Sequence, residues 1–317
     1  MSTSLSSPIV IGAAIVDIPL SPVGPEVFSA HSWPLERVFM QVGGDAANEA
    51  LVLAQLGHAP RLISAVGRDA PGDFVLDTLS GAGVDVSRVA RVAGLDTGIN
   101  VVLVREDGER SFITSRTGSL RALSLAHILP ALDDPALDGA KVACLASLFV
   151  SPRLTLGDTA LLLDRLKARG LTLCADTTRP KNGETLTQAG AVLSRLDYFF
   201  PNLSEAAALT GEADPDAIAD ALLETGVGCV ALKLGARGCL LARKGDRQLV
   251  PACPAKRCVD TTGAGDTFAA AFIAALAEGR APLACARFAN AAASLCVETV
   301  GATDGGWTRE DVEKRIQ

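Results

Sequence analysis

CVDTTGAGDTFAAAFIAALAEG, residues 258–279, carries a strand end through a run of small residues directly into a well-formed helix. Small residues ahead of a helix let backbone N–H groups approach an anion closely, and the helix dipole favours negative charge there. Asp266 falls in the first helical turn, beside that anion site. It can serve as a cap that complements the dipole. With Asp260 and two threonines flanking GAGD, it can also orient a substrate hydroxyl and accept its proton during phosphoryl transfer. The string is not a Walker P-loop, because no GxxxxGK[ST] occurs, and not a Rossmann fingerprint, because GxGxxG is absent.

Outward from this helix, short apolar strands alternate with amphipathic helices, the pattern of an α/β fold with a mainly parallel central sheet. Strands are expected at PIVIGAAIVD, PRLISAVG, KVACLASL, LTLCAD, YFFPN and VALKL, since buried parallel strands read as near-continuous apolar runs. Helices are expected over 46–56, 71–82, 156–168, 204–210, 214–225, 266–278 and 282–297. Six of the seven are followed by glycine, the usual left-handed stop.

Two regions break this rhythm. Residues about 13–44 are proline-rich and irregular, and residues about 95–116 read as a hairpin, TGINVVLV, then Asp107-Gly108, then ERSFITS. Together they make a small sheet apart from the main one. In its first hairpin strand Ile99, Val101 and Leu103 point one way and Val102 and Val104 the other. One apolar face can close over a site, and the other can meet a second subunit or the main body.

Composition narrows the classes. The chain has 317 residues, 49% hydrophobic and 21% charged, which excludes a disordered chain. The net charge is −7, and no basic run suits nucleic acid. The apolar run 268–276 is about half of what a membrane span needs. Residues 9–16 are preceded by no basic residue and stopped by Asp17, so a buried first strand is expected rather than a signal peptide. There are eight cysteines and no CxxC; Cys144, Cys174, Cys229 and Cys239 sit in strand-like runs and read as reduced core residues of a cytoplasmic protein. His31, His58 and His127 show no metal-ligand spacing.

VDTTGAGDTF resembles the C-terminal signature of the ribokinase-like (PfkB) carbohydrate kinase family, and QVGGDAANEALVLAQLG, residues 41–57, resembles its N-terminal glycine-pair signature. The two lie roughly 220 residues apart, in the family's order, and the resemblance covers essentially the whole chain. It implies a single ribokinase-like α/β domain over 1–317, a three-layer α/β/α body with a β-sheet lid. It implies ATP- and Mg²⁺-dependent phosphorylation of a hydroxyl, usually a primary one, of a small-molecule sugar. The two-faced small sheet points to a homodimer through the lid, and the charge and the short apolar runs point to no nucleic-acid or membrane partner.

By that resemblance Asp266 matches the catalytic base and the backbones of Gly263, Ala264 and Gly265 the anion hole. Gly43 and Gly44 allow close approach of a polyol, or are a hinge. Asn48 bonds hydroxyls, or caps a helix. Asp17, placed at the end of the first strand, matches a substrate-binding carboxylate. In PNLSE, Asn202 and Glu205 match a motif near phosphates and magnesium, with Glu205 acting through water; the same spacing makes a capping box. Lys233, Gly235 and Gly238 match a nucleotide loop, or a plain turn, and Asn290 the adenine side, or a helix–helix contact. Asp260, Thr262, Cys296, Thr299, Gly301 and Gly305 match the surroundings of a monovalent cation, K⁺, that many relatives hold.

The departures bear on the acceptor. Where the ribokinase pattern has Asn, Lys and a strand-end acid, this chain has Ile15, Asp45 and the LASLFVSP segment around Phe149. These argue against ribose, and Asp45 against a sugar already phosphorylated. Arg116 and Arg179 can face the site and suit a sugar acid, or can lie in solvent or pair internally with Asp17 or Asp176. The rival readings are a kinase for a nucleoside or vitamin-like alcohol, using Phe28, Trp33, Phe39 or Phe112, and a non-catalytic sugar-binding regulator.

Overall fold

A computed structural model describes residues 7–106, 109–299, 301 and 305–316. In chain order, β1 (Ile9–Ile11) and β2 (Ile15–Leu20) precede β3 (Gln41–Gly43), α1 (Asp45–Gln55), β4 (Arg61–Gly67), α2 (Ala70–Gly81) and β5 (Asp85–Val92). Next come β6 (Ile99–Val104), β7 (Arg110–Thr114), α3 (Ser119–Ala122), α4 (Leu125–Leu132), β8 (Val142–Leu148), α5 (Leu156–Ala168) and β9 (Thr172–Thr177). The rest is α6 (Leu186–Leu193), β10 (Tyr198–Phe199), α7 (Leu203–Thr210), α8 (Pro215–Glu224), β11 (Val230–Lys233), β12 (Cys239–Arg243), β13 (Asp246–Val250), α9 (Ala264–Ala277), α10 (Pro282–Cys296) and α11 (Arg309–Ile316).

The near-continuous apolar runs form one large sheet, ordered β13-β12-β11-β10-β9-β8-β1-β4-β5. It is parallel from β5 to β11 and antiparallel only at the β11-β12-β13 edge. Both faces are covered, as parallel sheets require. Val10, Leu62, Val142 and Cys144 face one core with α1, α2, α9 and α10. Their strand neighbours Ile9, Ile11, Ile63 and Ala143 face the other, with α4 to α8. The expected three-layer α/β/α architecture is therefore present. The six expected closing glycines, Gly57, Gly83, Gly170, Gly211, Gly226 and Gly279, all take positive φ.

Helix α9 is buried on every side, from Thr267 through Ala275 and again at Ala277. A helix apolar all round belongs in a core, and its alanines let α1 and α10 pack close. Phe268 and Phe272 meet Phe200 at ring separations of 6.4 and 5.0 Å. The N-terminus of α9 is thereby fixed beneath the carboxyl ends of the strands.

One expected strand divides. PIVIGAAIVD breaks over 12–14: β1 stays in the large sheet, while β2 pairs with β3 and β6 in a second sheet ordered β3-β2-β6-β7. Asp17 therefore lies in the middle of a lid strand rather than at the end of the first strand. The lid hairpin is as expected, with β6 antiparallel to β7, and its turn at Asp107-Gly108 lies outside the described residues. Register puts Asp17, Asn100 and Thr114 in one cross-strand row, and Ile18, Val101 and Ile113 in the adjacent row on the opposite face. None of the eight cysteines is in a disulfide, and six are buried; Cys253 is half-buried and Cys258 exposed. No described helix is long and apolar enough to cross a membrane.

Gly238, expected at a nucleotide loop, has a packing reason of its own. It has φ +93°, and a β-carbon there would lie 2.1 Å from the Val250 carbonyl oxygen and 2.5 Å from the Ala252 nitrogen. Gly245, at the next turn, has φ +78° with open space. Both alanine variants meet the left-handed backbone cost of about 1–2 kcal/mol, but Gly238→Ala adds backbone overlap worth a further ~1–3 kcal/mol. Denaturant unfolding of the two variants should show that gap; equal losses would refute it.

Candidate active site

A cleft of about 1280 Å³ opens between the lid and the carboxyl ends of the large sheet. Open α/β sheets place ligands there because strand ends and helix N-termini converge. Asp176 ends β9, Lys233 ends β11, Asn202 and Glu205 start α7, and Asp45 and Asn48 start α1. From the opposite side come Thr262, Gly263, Gly265 and Asp266. The lid contributes Asp17, Asn100, Arg110 and Phe112.

Asp266 sits in the first turn of α9, whose cap residue Gly263 takes φ +71°. Burial, with Asp176 and Asp17 nearby, pushes its carboxyl up to about 6 against the pull of Asn48 and Lys233. Asn48 Nδ2 donates to Asp266 Oδ2 at 2.7 Å. Asn48, expected to bond substrate hydroxyls, thus also aims the carboxylate. Its Oδ1 is buried with no partner.

The glycine pair has a steric cause. A β-carbon on Gly43 would overlap the Asp17 carboxylate at 2.3 Å, and one on Gly44, at φ +92°, would lie 2.6 Å from the Ala13 carbonyl oxygen. The pair lets α1 start directly under the lid strand. Asp17 itself accepts from Asn100 Nδ2 at 3.1 Å, and burial raises it to about 6 despite Asn100 and Arg110.

Lys233 Nζ donates to both oxygens of Asp176 at 2.9 Å. Burial works against that charge, and Asp176 and Glu205 outweigh it, so the ammonium is held above its usual range. Glu205 Oε2 accepts from the Asn202 N–H at 2.8 Å, and Asn202 Oδ1 from the Glu205 N–H at 2.9 Å. This is the capping box of the bland reading, yet both residues also line the cleft, and burial lifts Glu205 to about 7. Asp45 lines the cleft, where burial first, and then Asp266, raise its carboxyl well above the carboxylate range.

Four carboxyls, Asp45, Asp176, Glu205 and Asp266, thus surround one ammonium. Hard oxygens suit a cation of the magnesium type, yet among the described residues no three acidic, histidine or cysteine side chains are grouped to hold a metal ion by themselves. The monovalent-cation set also gathers. Asp260 accepts from Thr262 N at 2.8 Å and Gly301 N at 3.0 Å; Cys296 Sγ donates to Thr262 O, Thr299 Oγ1 donates to Cys296 O, and Gly305 abuts Thr299. Burial opposes the Asp260 charge, but the Thr262 and Gly301 donors outweigh it and hold the carboxyl below its usual range.

Other expected residues lie elsewhere. Arg116 and Arg179 are exposed and outside the cleft lining. Gly235 and Gly238 stand outside the lining, and Asn290 is buried, donating to the carbonyls of Val250 and Pro251 at 3.0 and 3.1 Å. The cations the cleft does contain include Arg110, Arg121 and Lys181. Nothing in the sequence pattern marked them: Arg121 follows Arg116 by five residues, on α3, and Lys181 follows Arg179 by two. Arg121 Nε is buried without a partner.

The pfkB family carbohydrate kinase model matches residues 8–309. A ribokinase of Arabidopsis thaliana is 31% identical over 283 residues, 87% of this chain and 72% of that protein. A 2-dehydro-3-deoxygluconokinase of Bacillus subtilis is 32% identical over 281 residues, covering 85% and 84%. The structure of Arabidopsis thaliana ribokinase complexed with ribose and ATP superposes with a TM-score of 0.80 at 28% identity, over 98% of this chain and 99% of that one. A putative ribokinase II from E. coli, in complex with ATP and Mg²⁺, gives 0.82 at 25%, over 99% of each.

Behind Asn48, Glu49 is fully buried with neither carboxyl oxygen partnered. Burial, then Asp176 and Asp266, hold it well above its usual 4.5, with the Cys144 thiol alongside. Because the folded-state value is the raised one, the unfolded chain ionises first as pH climbs past 4.5, and stability falls. Glu49→Gln removes that proton equilibrium. Its stability relative to the parent should therefore improve from pH 5 to pH 8 in urea unfolding, and a difference independent of pH would show that the carboxyl is charged in the fold.

Proposed function

Because the chain belongs to the pfkB family of carbohydrate kinases, we propose that it transfers the γ-phosphoryl group of ATP to a hydroxyl, a primary one, of a sugar acid. The observation that carries the chemistry is Asp266: a half-buried carboxyl, aimed by Asn48, at the N-terminus of a long helix and open to the cleft.

The acceptor oxygen attacks the γ-phosphorus, the bond to the β-phosphate bridge breaks, and the hydroxyl proton passes to Asp266. The N–H groups of Gly263, Ala264 and Gly265 face the developing charge on the phosphoryl oxygens. Asp17 and Asn100 hold hydroxyls from the lid side. Glu205, with Asp176 behind it, would hold magnesium, which when bound neutralises phosphate charge. Lys233 is tied to Asp176 and lies against Gly265, so it supports the anion loop from below. The gathered Asp260 set fits K⁺, and the outer lid face, with Ile113 57% exposed, fits a second copy of the chain.

Arg121 and Lys181 favour a carboxylate on the substrate over a neutral sugar. Burial, and then repulsion by Arg121, pull Lys181 below its usual value despite Asp45. Two crowded cations, one with a buried unpartnered donor, call for an anion.

An ADP-release screen over sugars and sugar acids tests the acceptor. Arg121→Gln should raise KM for the sugar acid at least about tenfold, the loss of one charged hydrogen bond, and leave a neutral sugar unchanged; equal effects would point to a neutral substrate. Asp266→Asn should lower kcat by about 10²–10⁴-fold with the thermal unfolding transition retained. In the parent, kcat/KM should rise with pH through about 6, since the base acts ionised and its folded value lies there. Full activity of Asp266→Asn would defeat the mechanism.

A further inference from the structure

We propose that Ser147 is a specificity-determining residue for the acceptor: its hydroxyl binds an oxygen of the substrate other than the one that is phosphorylated. The inference rests on the kinase reading and deepens it, through a side chain outside both signature motifs.

Strand β8 does not run regularly into the cleft. Leu145 pairs with Ala175 of β9, but the next pair is Leu148 with Thr177, so β8 carries one residue more than its partner over this stretch. A bulge of this kind re-aims a side chain beside a site. Within it Ser147 takes φ +57°, and just beyond it Phe149 takes φ +73°; among the described residues these are the positive-φ positions that are not glycine. A left-handed residue with a β-carbon persists only where its surroundings over-determine it, and such residues cluster at functional sites. Two contacts hold the bulge. Gly12 lies so close below it that a β-carbon there would stand 2.9 Å from the Ala146 carbonyl oxygen. Ser151 Oγ donates to the Leu123 carbonyl at 2.7 Å, tying the turn after β8 to the end of α3, the helix that carries Arg121.

Ser147 lines the cleft, is buried, and its hydroxyl has no hydrogen-bond partner. A buried hydroxyl left unpaired is costly, and a ligand that pairs it recovers the loss. The sheet order indicates which ligand. Lys233 ends β11 and Asp176 ends β9, on the side given to phosphate and magnesium, whereas β8 lies beyond them, between β9 and β1. The chain from β1 leads into β2, which carries Asp17. Ser147 therefore stands on the acceptor side. Asn48 Oδ1 and Asn100 Oδ1 are also buried in the cleft lining without partners. Their amide nitrogens are spent on Asp266 and Asp17, so what remains of each only accepts. Those two oxygens take hydrogens from acceptor hydroxyls. The Ser147 hydroxyl can donate, so it reads an acceptor oxygen through a lone pair, be it a hydroxyl or a carbonyl.

The test compares the full-length parent with Ser147→Ala and with Ser147→Gly, which adopts the left-handed backbone freely and secures a folded variant. The probes are D-gluconate, 2-dehydro-D-gluconate and the neutral D-fructose, each with the forms that lack one oxygen at a carbon not phosphorylated. Calorimetry reads binding in the presence of ADP, and ADP release reads turnover. In the parent, removing the oxygen that Ser147 holds should raise KM about tenfold or more, the scale of one hydrogen bond left unpaired. In both variants the intact probe should show that same rise, and the intact and depleted probes should then differ by no more than about twofold, because the group that told them apart is gone. kcat and the KM for ATP should stay within about threefold of the parent, since uniform binding of the acceptor is what is lost. Variants that discriminate between the probes as the parent does overturn the inference, as does a loss confined to kcat. A parent that binds a probe through Ser147 yet releases no ADP overturns the kinase reading and leaves the Ser147 contact standing, and a parent that binds no probe overturns both.

Discussion

Four carboxyl groups crowd one ammonium at the ends of β9 and β11, and the rest of the site follows from that imbalance. Burial raises all four of Asp45, Asp176, Glu205 and Asp266; Asp176 and Asp266 add to it at Asp45 and Glu205, and Asp176 adds to it at Asp266, while Lys233 pulls against it. Lys233 settles on Asp176, the most deeply enclosed of them, through two equal contacts. Asp266 remains with Asn48 as its donor and the α9 dipole as its field. That leaves a carboxyl poised near neutrality, the condition a general base requires. On the proposed reading, the phosphates of a nucleotide would meet a site short of positive charge on one side and supplied with it, through α9 and Arg110, on the other.

Holding such a cluster costs stability, and the fold offsets it with unusually complete packing below. Breaking a buried ion pair such as Lys233–Asp176 typically costs about 3–5 kcal/mol. Underneath, α9 is buried on all faces, and α10 packs along it through Ala286, Ala289 and Ala292. The C-terminal helix closes that layer by an ionic clasp. Arg309 bonds both Glu278 and the Leu56 carbonyl, and His58 meets the same glutamate. Burial opposes the Glu278 charge, but His58, Arg309 and Arg280 outweigh it and hold the carboxyl down at about 2. The end of α9 far from the cleft is thus tied to α1, whose first turn carries Asn48.

How much of this was legible depended on whether the cause was local. Closing glycines announce themselves, because a left-handed residue is a property of one position, and the buried strands announce themselves by continuous apolar runs. The GAGD turn and the glycine pair were readable for the same reason. Strands β5 and β13 were not: their burial is patchy, and polar residues such as Arg88 and Arg247 are held there by partners from other elements, Asp134 and Asp216. Helix α4 carries Pro130, which argues locally against it. The cleft cations were missed because Arg116 and Arg179 stand next to motifs, whereas Arg121 and Lys181 reach the cleft by chain directions that no spacing rule contains.

The lid shows how register converts sequence into chemistry. A strand presents alternate residues to opposite faces, so a single-residue slip would exchange them all. In β2, β6 and β7 the row Asp17, Asn100 and Thr114 and the neighbouring Phe112 and Arg110 point at the cleft, while Ile18, Val101 and Ile113 point away. Shifted by one, the lid would offer Ile18, Val101 and Ile113 to the cleft and turn Asp17 to the outer face. Gly43 makes the observed register possible, since no side chain on residue 43 fits beneath the Asp17 carboxylate. The glycine pair thus gives room for the register that puts Asp17, Asn100 and Arg110 on the cleft face.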